Sequence, residues 1–232
     1  MPEKHPPLVL KLARAALALA VDALLLAWGL GGFAAIPRSA HALALLAVWG
    51  VAGVTLTLAR PTRGQDTART EKDPLAMLLL ALIPLGTPAL AAWGGRAGVW
   101  PLPAAAVLGW LGVALSAAGL FMRVAAMLQL GPRFSPLLAV QREHRLETTG
   151  WYAVVRHPGY LGALLANIGA AIAFGSAVAL PFALVMVLVQ ADRVRREERL
   201  LAGHFGEAWR AYANRTGALL PRFLGRGAPS RP

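Results

Sequence analysis

The chain has no cysteine. Disulfides, thiolate metal ligands and a covalent cysteine intermediate are therefore excluded. Acidic residues are scarce, 11 Asp and Glu against 23 Lys and Arg, and charged residues of both signs occupy only 15% of 232 positions. The five histidines, at 5, 41, 144, 157 and 204, include no pair at the i, i+4 spacing of a helical metal site, so no metal is expected. No Gly-rich loop of the dinucleotide type follows a strand-like run, which argues against a Rossmann-type domain; any nucleoside cofactor has to be held by helices and loops. There is no internal repeat of fixed period, and the paired halves of many transporters are missing with it.

What is present is apolar. Hydrophobic residues make up 57% of the chain and mean hydropathy is +0.55, outside the range of ordinary soluble domains. The apolar residues come in blocks: 8–36, interrupted only by Lys11, Arg14 and Asp22, then 42–59, 75–93 and 99–122. Each is near or above the roughly 20 residues that cross a hydrocarbon core. The first is too long, and too weakly marked by a cleavage site, for a removed signal peptide. A fifth run, 160–191, is too long for one span, and Gly175-Ser176 with Pro181 offers a break near its middle. Two arms of about 15 residues, roughly 22 Å each, make a short helical hairpin. The fourth block predicts a helix that starts after Pro101 or Pro103 and stops at Gly131-Pro132.

The expected fold is all-α: a polytopic membrane helix bundle of about six membrane helices. Residues 1–74 form N-terminal helices and a charged connector, and 75–232 form a core with the hairpin 160–191 and a C-terminal helix, all in one integrated membrane domain. If the segments alternate sides, every Lys and Arg except Arg38 and Arg96 falls on one face. The positive-inside rule then places both termini in the cytoplasm. The same asymmetry accounts for the net charge of +12 through contact with anionic lipid headgroups, without nucleic acid.

Two charged blocks flank the hairpin. Residues 150–162 read G-W-Y-A-V-V-R-H-P-G-Y-L-G, and 193–212 read R-V-R-R-E-E-R-L-L-A-G-H-F-G-E-A-W-R-A-Y, followed by L-L-P at 219–221. A hairpin brings the two blocks together at one water interface, which is the layout of a site rather than of a lipid anchor. Glu197 and Glu198 point about 100° apart on a helix, so at most one faces the bundle easily. Leu201, Phe205, Trp209 and Tyr212 recur at four, four and three residues, an amphipathic face able to lie at the interface and close over the site. Asp22, near the middle of the first span, and Asn167, in the first hairpin arm, are polar residues that face protein, as bundle-facing hydrogen-bond partners or as pocket lining.

Arg156-His157-Pro158 with Tyr160 and Gly162, then Glu197-Glu198, Leu201, Phe205-Gly206 and Tyr212, resemble in order and spacing the isoprenylcysteine carboxyl methyltransferase family of integral-membrane, S-adenosylmethionine-dependent enzymes. The resemblance covers 131–221, about two fifths of the chain, and each block alone is a weak signal. It implies S-adenosyl-L-methionine as cofactor, with contacts from His144, Leu146, Gly150, Tyr152, Arg156, His157, Pro158, Tyr160, Gly162, Glu197 and Glu198. It also implies catalytic roles for Arg193, which engages substrate, and Glu198, which binds the cofactor or orders the arginine. Trp151 and Trp209 depart from the family's more frequent Pro and Tyr and bear on substrate shape. The resemblance implies a lipophilic or prenylated acceptor, with the carboxylate of a prenylcysteine-like compound first. Phospholipid amines and small thiols remain as alternatives, as do an NADPH-dependent sterol-reductase-like enzyme and a non-enzymatic transporter or scaffold. The implied location is a bacterial-type inner membrane with the site facing the cytoplasm.

Overall fold

The computed structural model describes residues 7–59, 67–71, 73–131, 138–141 and 146–222. Among the described residues there are eight α-helices: α1 Leu8–Leu30, α2 Ala40–Ala59, α3 Pro74–Ala97, α4 Ala105–Leu130, α5 Trp151–Val154, α6 Pro158–Ile172, α7 Leu180–Phe205 and α8 Glu207–Arg215. A short 3-10 helix, Phe33–Arg38, joins α1 to α2, so the first apolar block ends as a span at Gly31, whose positive φ of 92° caps α1. Among the described residues, three helices are by length and composition apolar enough to cross a membrane: Ala40–Leu58, Pro74–Ala97 and Ala105–Leu130. The outward faces of α1 and α2 carry exposed Leu, Val and Trp side chains, as expected of an integral membrane protein in contact with lipid.

The hairpin forms as α6 and α7. Its turn is pinned from outside: Ser176 Oγ donates to the Val99 carbonyl at 2.7 Å, and Leu102 N–H and Ala177 N–H bond the Gly175 and Trp100 carbonyls, both at 2.9 Å. The α3–α4 loop and the hairpin turn therefore share one end of the bundle. Only the first dozen residues of α7 are apolar; the helix then carries its charged block onward without a break.

The α4–α6 pairing is the most extensive in the molecule, and small residues make it possible. Gly112, Ser116 and Gly119 on α4 meet Gly162, Ala166 and Gly169 on α6. A Cβ on Gly162 would lie 2.5 Å from the Gly119 carbonyl oxygen, and one on Gly169 would lie 2.4 Å from that of Gly112. Backbone meets backbone there.

Two features depart from the all-helical expectation. Strands β1 Thr67–Glu71 and β2 Leu138–Gln141 pair antiparallel, joining the α2–α3 and α4–α5 connectors in a ribbon. The amphipathic face of the C-terminal segment is also not one helix. Gly206, at φ 55° and ψ −122°, ends α7 and starts α8 in a backbone region that only glycine enters without strain.

Candidate active site

The first charged block is built as a turn held from three sides. Gly150, at φ 52°, turns the chain against the end of α4, where Gln129 donates to the Thr149 carbonyl at 2.8 Å and accepts from Trp151 N–H at 3.2 Å. Residues 155–157 then run extended beside 217–218: Arg156 N–H and His157 N–H bond the Gly217 and Ala218 carbonyls at 2.8 and 3.0 Å. Pro158 opens α6 at its first position, where its missing N–H costs nothing. Arg123 of α4 donates to the Gly159 carbonyl at 2.9 Å and fixes that first turn.

On this frame the two blocks meet through a chain of alternating charge. Arg193 Nε donates to the Tyr160 hydroxyl at 2.8 Å, and the hydroxyl donates to Glu197 Oε2 at 2.8 Å. His157 lies between the two carboxylates, with Nδ1 3.9 Å from Glu197 Oε1 and Nε2 3.2 Å from Glu198 Oε1. An ionised carboxylate only accepts, so Nε2 carries the proton in that contact. Arg156 closes the chain: Nε and Nη2 reach Glu198 Oε1 at 2.8 and 2.6 Å, and Nη1 donates to the carbonyls of Ala213 (3.0 Å) and Thr216. The guanidinium of Arg156 is thus spent on protein partners and also faces the Trp209 ring, 5.8 Å from its centroid.

Burial pushes the Glu198 carboxyl up, but the hydrogen bonds from His157 and Arg156 and their charges outweigh it, and the group sits below the ordinary carboxylate range. A carboxylate depressed in the folded state contributes stability that is complete above its unfolded pKa and is lost as pH falls through the folded value. The contribution of Glu198 to thermal stability is therefore expected to be full and independent of pH near neutrality and to be lost only below about pH 4. Melting curves of wild type and Glu198→Gln from pH 8 to 3 check this: the gap between them should shrink on acidification. Tyr212, whose hydroxyl donates to the Tyr152 carbonyl at 2.6 Å, is pushed by burial up to about 12 and stays a donor throughout.

These groups form the mouth of a chamber of about 530 Å³ that continues between α1, α3, α4, α6 and α7. Of the site residues that the family resemblance implies, Leu146, Tyr152, Arg156, His157, Tyr160, Arg193 and Glu197 line it. Glu198 is not among the lining residues; it sits behind the wall as the clamp on Arg156 and His157. Gly150, Pro158 and Gly162 shape backbone and helix contacts instead of the wall, and His144 lies outside the described residues. Trp209 and Tyr212 of α8 cover the mouth, each at most 5% exposed. Sequence reasoning did not single out Gln190 or Met77 as lining residues. Gln190 was detectable as a lone amide in an apolar run, one turn before Arg193; Met77 carried no signal.

Comparison with known proteins places this architecture. Residues 110–203 match the model of the isoprenylcysteine carboxyl methyltransferase (ICMT) family. The chain is similar to protein-S-isoprenylcysteine O-methyltransferase of Schizosaccharomyces pombe, 35% identical over 106 residues covering 44% of this chain and 45% of that protein. Isoprenylcysteine O-methyltransferase B of Arabidopsis thaliana is 32% identical over 113 residues, 47% of this chain and 57% of its own. The cobalt-zinc-cadmium resistance protein CzcN of Cupriavidus metallidurans is 35% identical over 126 residues, 54% of this chain and 53% of its own. The chain spans about half the length of these curated relatives. The solved structure of the eukaryotic intramembrane Ras methyltransferase ICMT shares the fold, with TM-score 0.62 at 21% identity over 92% of this chain and 77% of that one. An integral-membrane bundle with a charged mouth on an apolar chamber is the class this defines. Over residues 110–203 the chain is similar to the isoprenylcysteine carboxyl methyltransferase family, and it shares the fold of the solved ICMT structure.

Proposed function

We propose that the protein is an integral-membrane, S-adenosylmethionine-dependent methyltransferase acting on a lipophilic or amphiphilic acceptor, a prenylcysteine-like carboxylate first among them. The observation that carries this is the chamber itself: one end is lined by Glu197, His157 and Arg193, the other mainly by apolar helix faces, in one continuous cavity. A polar cofactor and a lipid-soluble acceptor need such a meeting place.

The mouth fits S-adenosylmethionine on three counts. Glu197 offers a carboxylate on the wall to a cationic ligand, the rings of Tyr152, Trp209 and Tyr212 offer faces to a purine or a sulfonium, and about 530 Å³ lies within the usual range for ligand sites. Bound there, the cofactor supplies an electrophilic methyl group on sulfur. The protein's part is to hold nucleophile and methyl in line and to exclude water. Arg193 is only 3% exposed and lines the chamber, so it presents a buried positive charge to an anionic acceptor. Tyr160 and Glu197 hold its guanidinium in place through the hydroxyl bridge, and Glu198 holds Arg156 and His157. A carboxylate acceptor needs no base at neutral pH. An amine acceptor would need one, and Glu197, the carboxylate on the chamber wall, is the candidate.

The side assigned to the site follows from charge. The α2–α3 and α4–α5 connectors, both basic, are hydrogen-bonded to each other in the β1–β2 ribbon, which supports their lying on one side. The positive-inside rule makes that side the cytoplasm and puts both termini there, in a plasma membrane of bacterial type. We read α1, α2, α3, α4 and the α6–α7 hairpin as the six membrane helices.

Purified protein in nanodiscs, given methyl-labelled S-adenosylmethionine and N-acetyl-S-farnesylcysteine, is expected to form a base-labile methyl ester. Arg193→Leu should raise KM for this acceptor by about tenfold or more. Cofactor bound tightly with no label in the ester, but label in an added amine or thiol, would overturn the choice of acceptor.

A further inference from the structure

Below the charged mouth the chamber wall is not uniformly apolar. The lining face of α6 runs Tyr160, Ala163, Asn167, Ala170, and that of α7 runs Met186, Gln190, Arg193, Glu197. The polar network of the mouth ends at Tyr160 and Arg193. Asn167 stands two turns deeper, about 10 Å along α6, and Gln190 one turn deeper on α7. Asn167 is 4% exposed and neither its Oδ1 nor its Nδ2 has a hydrogen-bond partner among the described residues; Gln190 is 1% exposed and its Oε1 has none. Asp22, from α1, borders the same chamber.

An amide buried in an apolar wall with no partner is costly, and the usual compensation in a membrane bundle is a bond to a neighbouring helix. Asn167 does not make one. It faces the chamber, so the partner is whatever fills the chamber. Asn167 and Gln190 together offer two carbonyl acceptors and one NH₂ donor, a set that an alkyl or plain prenyl chain leaves unsatisfied.

We propose that Asn167 and Gln190 form a polar recognition point for the buried part of the ligand, which carries an uncharged group able both to donate and to accept, an amide or a hydroxyl, in the stretch about 5–10 Å inward from the reacting end. On the methyltransferase reading, which this inference deepens, a plain prenyl tail is accepted, and among carboxylate-headed acceptors the preferred one carries such a polar group in its tail. Selectivity arises because the site is complete only when that group is present.

Calorimetry on the full chain in nanodiscs tests this with two carboxylate-headed thioether probes of equal tail length. One has an all-hydrocarbon tail and the other a secondary amide placed about 10 Å from the head, matching the depth of Asn167. Partitioning into lipid is common to all variants, so the quantity read is the ratio of the two affinities. Wild type is expected to favour the amide probe by about tenfold more than Asn167→Leu or Gln190→Leu does, with Asn167→Ser in between. An unchanged ratio in folded Asn167→Ser or Gln190→Leu would overturn the proposal. S-adenosylmethionine titrated into the same samples separates the two readings. Cofactor binding without amide preference removes this inference alone, and amide preference without cofactor binding removes the methyltransferase reading alone.

Discussion

Gly162→Leu is expected to yield no folded protein. At this position the Cβ alone would stand 2.5 Å from the Gly119 carbonyl oxygen and 2.7 Å from the Arg123 backbone nitrogen, and neither can yield without moving α4. Overpacking of this kind costs about 1–3 kcal/mol where side chains can adjust. Here the obstacle is backbone along the largest helix contact in the molecule, and α4–α6 separation would also pull Arg123 from the Gly159 carbonyl that fixes the site turn. The alanine variant should be destabilised but recoverable. Gly203→Ala, on the same hairpin with nothing within 4 Å of the added Cβ, should be neutral or stabilising by up to about 1 kcal/mol. Size-exclusion profiles and thermal melts of the three variants in one detergent check the order; a Gly162→Leu protein that melts with wild type would refute the packing.

Glu198→Ala carries the second large effect. It strips the carboxylate from Arg156, whose side chain is 11% exposed, and from His157, at 3%. Removing one partner of a largely buried pair leaves the other charge uncompensated, which costs more than the pair itself contributes. Glu198 is about a quarter exposed, so solvent recovers part of this, and about 2–4 kcal/mol is the expected loss. Expressed at the site, that is a fall in kcat/KM of about 30- to 1,000-fold. Because Glu198 stands behind the chamber wall, the variant should lose cofactor affinity through a displaced His157 and Arg156, and Glu198→Gln should recover part of it. Equal activity in Glu198→Ala and wild type, measured under saturating cofactor and acceptor and again at low concentrations, would show that the clamp is dispensable.

Much of this was legible in the sequence because it rests on local signals. The start of α4 was marked by Pro101 or Pro103 and its end by Gly131-Pro132, and the hairpin break by Gly175-Ser176 with Pro181. The meeting of the two charged blocks followed from the hairpin between them, whose length alone requires both ends at one interface. What escaped depended on contacts between distant segments. The β1–β2 ribbon uses strands of five and four residues without an alternating apolar pattern, in connectors some 70 residues apart, so nothing local announced it. The spacing of Leu201, Phe205, Trp209 and Tyr212 ran on in helical phase across Gly206, and only the tertiary frame turns that glycine into a corner. The division of labour in Glu197-Glu198 was half legible: helical geometry separates the two directions, but which one meets the chamber depends on how α7 is rotated against α6.

The central claim is that the mouth of this chamber is a cofactor site organised by His157 and Glu198. Calorimetric titration of S-adenosylmethionine into the full chain in nanodiscs, alongside His157→Ala and Glu198→Ala, tests it most directly. The account predicts saturable binding in the micromolar range by wild type, about −8 kcal/mol, abolished or strongly weakened in both variants while their helical content is retained. Absence of binding to folded wild type, or undiminished binding to both variants, would contradict it.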